Sequence, residues 1–121
     1  MHETLMNALA AGYERIVPWA DILDRINVYP VPDGDTGRNL VMTLSALRNP
    51  WQEKETLSRE ILLTARGNSG NIAARFLSGF LGCEDLFYLP ASVEAGRELA
   101  YKAVPDPQPD SIAGFYHTRA R

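Results

Sequence analysis

Apolar residues recur three and four positions apart along most of this sequence, and no other feature limits the possible folds as strongly. A clear example is the stripe formed by Trp19, Ile22, Leu23 and Ile26. Such spacing places side chains on one face of an α-helix. Convincing strand alternation is absent, although residues 86–89 are ambiguous. The pattern therefore predicts an all-α fold, an antiparallel bundle or barrel of about six helices.

Prolines and glycines divide this periodicity into segments. We expect helices over residues 3–13, 18–26, 38–49, 53–66, 71–82 and 91–104. Two prolines exclude a helix at residues 28–32, and alternate prolines make residues 105–110 extended. The sequence thus predicts a helical domain over residues 1–104 and an extended, proline-rich tail over residues 105–121.

Composition narrows the class of protein. The 121 residues fit one domain, with 12 Lys and Arg against 15 Asp and Glu, a net charge of −3. This acidity argues against nucleic-acid binding, which usually requires a basic surface. No apolar run approaches the roughly 20 residues of a membrane span, and the N-terminus lacks the pattern of a secretory signal. With Cys83 as the only cysteine, we expect a reducing, cytoplasmic setting.

Residues 33–39 form the first candidate site. Asp33 and Asp35 can face a common point if Gly34 allows a tight turn between them. Paired carboxylates of this kind suit Mg²⁺, which completes its coordination with water and phosphate. The alternative is structural: Asp35 or Thr36 caps the next helix, and the other acid favours its N-terminus. Taken alone, the capping interpretation is the simpler one.

Residues 66–71, Arg-Gly-Asn-Ser-Gly-Asn, form the second candidate site. Glycines free the backbone to present N–H groups, and the helix that follows offers a positive N-terminus, a combination suited to phosphate. Asn68 or Ser69 could equally be a simple N-cap. Because both segments precede amphipathic helices, we expect them to meet at one end of the bundle, where a Mg²⁺-nucleotide could bind.

These segments also carry a family resemblance. Residues 26–40 read Ile-Asn-Val-Tyr-Pro-Val-Pro-Asp-Gly-Asp-Thr-Gly-Arg-Asn-Leu, and residues 65–70 read Ala-Arg-Gly-Asn-Ser-Gly. The pair resembles the nucleotide-binding domain of the dihydroxyacetone kinase superfamily, in the branch that includes the N-terminal domain of bacterial fatty acid kinase. A weaker match is Ala-Tyr-Lys-Ala-Val at residues 100–104. The resemblance covers roughly residues 3–112.

The resemblance implies an eight-helix antiparallel barrel that holds ATP at one end through Mg²⁺. Asp33 and Asp35 match the metal-binding carboxylates. The implied nucleotide-binding residues are Thr36, Asn39, Gly67, Asn68, Ser69 and Gly70. The family transfers the γ-phosphoryl group to an acceptor on a partner, either a dihydroxyacetone-binding subunit or domain or a fatty-acid-binding protein. No catalytic base is evident in this sequence.

Two departures from the family matter. Val28 stands where dihydroxyacetone kinases have a third metal-binding aspartate, which favours the fatty-acid-kinase branch. Residues 107–112 read Pro-Gln-Pro-Asp-Ser-Ile where the family has a Pro-x-Glu-Gly-Thr-Ile-like loop, and we expect the family's last helices, which close the barrel, to be missing. We therefore expect a weakly active or inactive chain whose uncovered apolar groove is filled by a homodimer or a partner. The competing hypotheses are a non-catalytic relative that senses nucleotide or binds protein, and a structural fragment.

The remaining chemically notable residues are interpreted as structural. His2 and His117 lack neighbours at metal-ligand spacing, and Cys83 is expected to pack as a small apolar residue. Trp19 and Trp51 are expected to anchor the core or an interface.

Overall fold

Helices account for all the regular structure that is described. The computed structural model describes residues 2–26, 34–49 and 51–103, and no strand occurs in these ranges. The α-helices are α1 (His2–Ile16), α2 (Ala20–Arg25), α3 (Thr36–Thr43), α4 (Lys54–Thr64), α5 (Gly67–Phe80) and α6 (Leu89–Lys102). Short 3-10 helices cover Val17–Trp19, Ser45–Arg48 and Leu86–Tyr88. The expected all-α class is confirmed.

The predicted helices are present, with shifted ends. Pro18 lies in the 3-10 turn that leads into α2, a position where its missing N–H costs little. The expected third helix changes at Leu44 from α to 3-10 geometry. The largest correction concerns residues 67–70, which form the first turn of α5 and not an interruption before it. The predicted break at residues 28–32 and the tail at 105–121 lie outside the described residues.

The core lies around α5, which packs against α3, α4 and α6. Most of its apolar positions come from the predicted helix faces, and α1 adds Met6 and Tyr13, both almost fully buried. The guanidinium carbon of Arg48 lies 5.7 Å from the centre of the Tyr13 ring, which ties α1 to the 3-10 turn after α3. The main buried cluster consists of Met6, Tyr13, Leu44, Leu47, Leu57, Ile61, Ala74, Leu77 and Leu81. Cys83 is also buried, as expected.

The apolar stripe of α2 does not serve the core as expected. Trp19 is 57% exposed and Ile26 is 65% exposed, and Ile22 is also exposed. Only Leu23 is half-buried. Trp51, at 56% exposure, is likewise not a core anchor. Periodicity identifies a helical face, but it does not say whether another element covers that face.

Small residues bring α5 and α6 together. A Cβ atom placed on Gly96 would lie 2.7 Å from the Phe76 carbonyl oxygen and within 2.9 Å of its ring. A Cβ on Gly79 would lie 2.7 Å from the backbone of Ala95. The two backbones are therefore closer than any side chain larger than hydrogen allows.

We expect Gly96→Ala to lower the free energy of unfolding by about 1–3 kcal/mol, because the methyl group overlaps backbone atoms that cannot move independently. Gly12→Ala is the matched control, since a Cβ there meets no atom within 4 Å. That control should raise stability by up to about 1 kcal/mol through helix propensity. Urea denaturation followed by circular dichroism measures both. Equal midpoints would contradict the close approach of α5 and α6.

None of the helices in these three described ranges combines the length and apolarity needed to cross a bilayer.

Candidate functional site

The start of α3 is held by a side chain from α2. Asp35 occupies the N-cap position without a side-chain capping hydrogen bond. Instead, the Asp24 Oδ1 atom accepts hydrogen bonds from the backbone N–H groups of Gly37, at 2.8 Å, and Arg38, at 3.1 Å. These are first-turn donors, which have no partner within their own helix. Asp24, and not the N-cap residue Asp35, therefore provides the side-chain acceptor for Gly37 and Arg38.

Close backbone packing fixes the same junction. A Cβ on Gly37 would overlap the carbonyl oxygen of Ala20 and lie 2.8 Å from the Cβ of Leu23. Gly34, just before α3, has a φ of 69°, in the left-handed region that favours glycine. Gly34 thus has the backbone conformation that a tight turn allows, whereas the expected turn itself begins at Asp33, outside the described residues. The start of α3 rests directly on α2, with no room for a side chain between them.

The start of α5 lies against α3. Gly67, the first residue of α5, also has a φ of 69°. The side chain of Asn39 contacts it: a Cβ on Gly67 would overlap the Asn39 amide nitrogen and lie 3.2 Å from the Asn39 Cγ atom. Glycine is required at residue 67 both for its backbone conformation and for the space that Asn39 occupies.

Two hydrogen bonds join α3 to the start of α5, and a third, within α3, orients the Thr43 hydroxyl that takes part in one of them. The Ser69 hydroxyl donates to the Thr36 carbonyl oxygen at 3.0 Å. The buried Thr43 hydroxyl donates to the Asn39 carbonyl oxygen at 2.7 Å and accepts from the Arg66 backbone N–H at 3.0 Å. The two segments were expected to meet at one end of the fold, and their described residues do lie in contact.

The predicted site residues can now be located. The structure brings one group together at the contact between α3 and the start of α5: Thr36, Asn39, Gly67, Ser69 and Gly70. Asp35 directly precedes this group at the N-cap of α3, and Asn68 is exposed in the first turn of α5. Asp33 lies outside the described residues.

The donor set near α3 is chemically compatible with Mg²⁺. The Asp35 carboxylate and the Asn39 amide offer hard oxygen ligands, the type that Mg²⁺ takes, usually with one or two carboxylates and several waters. Within residues 2–26, 34–49 and 51–103, no three His, Cys, Asp or Glu side chains converge as a metal centre. The expected carboxylate pair includes Asp33, so it extends beyond these ranges.

Positive charge flanks the site. Arg38 has a side chain that is 67% exposed, and its Nη2 atom lies 3.8 Å from the Asp24 Oδ2 atom. Arg66, the N-cap residue of α5, is exposed. A shifted pKa occurs away from the site, on the surface of α6. There, a side-chain hydrogen bond from Arg97 lowers the pKa of Glu94. That pair belongs to no candidate site.

An apolar cavity of about 380 Å³ adjoins the site between α1, α3 and α5. Ser69 forms part of its wall, so the cavity reaches the start of α5. Its other walls are mostly aliphatic and aromatic, including Leu9, Ile16, Leu40 and Phe76. Such cavities commonly accept the apolar part of a ligand or partner.

Asp24 and Thr43 are the important site residues that sequence reasoning missed. Asp24 lies 13 positions before the Gly37 amide that it caps, whereas local capping patterns extend over only a few residues. Thr43 had one usable signal, since it follows Asn39 by one helical turn and threonine often bonds to the carbonyl four residues earlier.

Comparisons with known proteins give homologues without a stated activity. No protein-family model matches the chain. It is 38% identical over 118 aligned residues to uncharacterized proteins of Staphylococcus aureus, including those of strains USA300, COL and Mu50. The match covers 84% of this chain and 21% of each relative. The chain thus spans about a fifth of the length of these curated relatives.

Proposed function

We propose that this chain is the Mg²⁺-ATP-binding domain of a phosphotransferase similar to dihydroxyacetone kinase and fatty acid kinase. One observation carries the proposal. The two segments that resemble the family's nucleotide-binding motifs are distant in sequence but lie in contact, with Ser69 bonded to Thr36 and Asn39 packed on Gly67. A family-like site requires this contact, whereas two unrelated helix caps would not.

The phosphate groups of the nucleotide are assigned to the start of α5. This helix has 14 residues, and its N-cap residue Arg66 makes no side-chain capping hydrogen bond. Its first-turn N–H groups, including those of Asn68 and Ser69, are the donors that anions bind at helix N-termini. The exposed Arg66 side chain adds positive charge. We infer that residues 67–70 bind phosphate mainly through their backbone.

Asp33 and Asp35 are assigned to the metal, and the Asn39 amide is assigned to the same site. When bound, Mg²⁺ neutralises phosphate charge and orients the γ-phosphoryl group for transfer. The chain's own residues contribute position and charge. Asp35 is the N-cap residue of α3. Its backbone is held in place because its carbonyl oxygen accepts a hydrogen bond from the Asn39 N–H at 2.9 Å. Preorganisation of this kind is the principal demand of phosphoryl transfer on a protein.

The phosphoryl acceptor is proposed to come from a partner, of fatty-acid-binding or dihydroxyacetone-binding type, in the cytoplasm. No residue of the described site is placed as a base for an acceptor hydroxyl or carboxylate. The apolar cavity beside Ser69 supports a partner or a second copy that buries apolar surface there. A homodimer would cover the same surface.

We expect the chain to bind ATP in a Mg²⁺-dependent manner, and Asp35→Ala to weaken this binding at least about tenfold, because one carboxylate ligand is lost. Glu55→Ala is the control, since it removes an exposed acid from α4, outside the site. Isothermal titration calorimetry with and without Mg²⁺ makes the comparison, and circular dichroism checks helicity. Equal affinities with and without Mg²⁺ would reject the proposal. Binding without transfer to any lipid or sugar acceptor would favour the nucleotide-sensing alternative.

A further inference from the structure

The starts of α3 and α5, which meet at the candidate site, differ in their side-chain caps. At the start of α3, the Asp24 carboxylate accepts the Gly37 and Arg38 N–H groups, and its side chain is only 16% exposed. At the start of α5, Arg66 provides no side-chain cap. Within the described residues, the start of α3 therefore holds a carboxylate, which the exposed Arg38 guanidinium approaches to 3.8 Å, whereas the N-cap residue of α5 supplies no carboxylate.

We propose that Asp24 is a positioning residue that sets the polarity of this site, an inference that rests on the proposed Mg²⁺-nucleotide function. A phosphate group that approached α3 would meet the Asp24 carboxylate and find both N–H groups already bonded. The same negative charge favours a cation beside Asp35. Asp24 therefore directs the metal to the α3 side and the phosphate chain to the α5 side.

Asp24 also fixes the geometry on which this arrangement depends. Its two hydrogen bonds orient the first turn of α3, where Gly37 packs against the α2 backbone with no space for a Cβ. The Thr36 carbonyl oxygen in that turn accepts the Ser69 hydroxyl of α5. A displacement of the start of α3 would thus also move the start of α5, because the hydrogen bond between Ser69 and Thr36 joins them.

A purely stabilising cap would behave differently from a residue that sets polarity. Loss of a simple cap lowers the melting temperature and weakens ATP binding by similar factors with and without Mg²⁺. Loss of a carboxylate that sets the polarity should lower the ratio of the ATP affinity with Mg²⁺ to the ATP affinity without it. It should also leave two N–H groups free to bind an anion in the absence of metal.

The test compares Asp24→Ala, Asp24→Asn and Asp21→Asn in the full chain. Asparagine keeps an oxygen that can accept the Gly37 and Arg38 N–H groups, whereas alanine does not. Asp21→Asn removes the same charge from an exposed position on α2. For each variant, calorimetry gives the ratio of ATP affinities with and without Mg²⁺ and the affinity for tripolyphosphate alone. Thermal denaturation monitors folding.

We expect Asp24→Ala to reduce the ratio of ATP affinities with and without Mg²⁺ about tenfold. It should also strengthen metal-free tripolyphosphate binding, because the Gly37 and Arg38 N–H groups no longer have their carboxylate acceptor. Asp24→Asn should recover part of the ratio, and Asp21→Asn should match the wild type. If Asp24→Ala keeps the wild-type ratio, the positioning role is wrong and the proposed function stands. If the wild type shows no Mg²⁺-dependent ATP binding, the proposed function fails. In that case, unchanged tripolyphosphate binding by Asp24→Ala overturns the polarity role as well.

Discussion

Gly37→Ala should lower the free energy of unfolding by about 3 kcal/mol, the upper end of the usual cost of overpacking. The added methyl group would overlap the Ala20 carbonyl oxygen and approach the Leu23 Cβ atom to 2.8 Å. Both obstacles belong to α2 or are attached directly to its backbone, so no side-chain rotation relieves them. The two helices would have to separate, which would also pull Gly37 and Arg38 away from Asp24.

Gly82→Ala provides the comparison for this variant. Gly82 is exposed, and the nearest atom to its Cβ position is the Gly79 carbonyl oxygen at 3.5 Å, an ordinary contact. Its effect should therefore stay within about 0.5 kcal/mol. Urea denaturation gives both values. If Gly37→Ala and Gly82→Ala unfold at the same urea concentration, the start of α3 does not rest on α2 in solution.

Gly67→Ala should weaken Mg²⁺-dependent ATP binding at least about tenfold and lower the free energy of unfolding by about 2 kcal/mol. Two costs combine here: a φ of 69° is unfavourable for alanine, and its methyl group would overlap the Asn39 side-chain amide. Calorimetry and urea denaturation measure the two effects. The nucleotide loses affinity because the first turn of α5 must move.

Two further variants separate these costs. Gly34→Ala shares the φ of 69°, but the nearest atom to its Cβ is the Asp24 carbonyl oxygen at 3.9 Å. Its loss of stability should reflect the backbone conformation alone, about 1 kcal/mol. The double variant Asn39→Ala/Gly67→Ala removes the overlap, so it should be more stable than the sum of its single variants predicts. Strict additivity would contradict the contact between Asn39 and Gly67.

The helices were predictable because the spacing of apolar side chains shows which face of a helix is buried. Leu44, Leu47, Leu57 and Ile61 are buried as their spacing implied. Residues 67–70 contain no large apolar side chain, so periodicity had nothing to detect there, and the first turn of α5 was interpreted as a break. On α4, Leu62 is exposed although its neighbour Ile61 is buried, so the buried face of this helix is narrower than its apolar content suggests.

The motifs of the candidate site and the contact between them were predictable, but the residues that hold them together were not. The segments around Asp35 and Gly67 could be identified from residue types that suit metal and phosphate. Their junction depends on Asp24 and Thr43, whose roles arise from which helices become neighbours. Such partners are set by tertiary packing. The four-residue spacing of Thr43 from Asn39 indicates the bond within α3, but it does not indicate the bond from Arg66.

The cap that Asp24 provides has a kinetic consequence. An N-cap from an adjacent residue can form while the rest of a chain is still disordered, but Asp24 lies 13 residues from Gly37. The intervening segment must close before the first turn of α3 acquires its acceptor, with an entropic cost that grows slowly with segment length. The eight residues of α3 are also too few for an isolated helix to persist in water. The start of α3 therefore belongs to a cooperative folding unit with α2, and the two should open and close together in native-state hydrogen exchange.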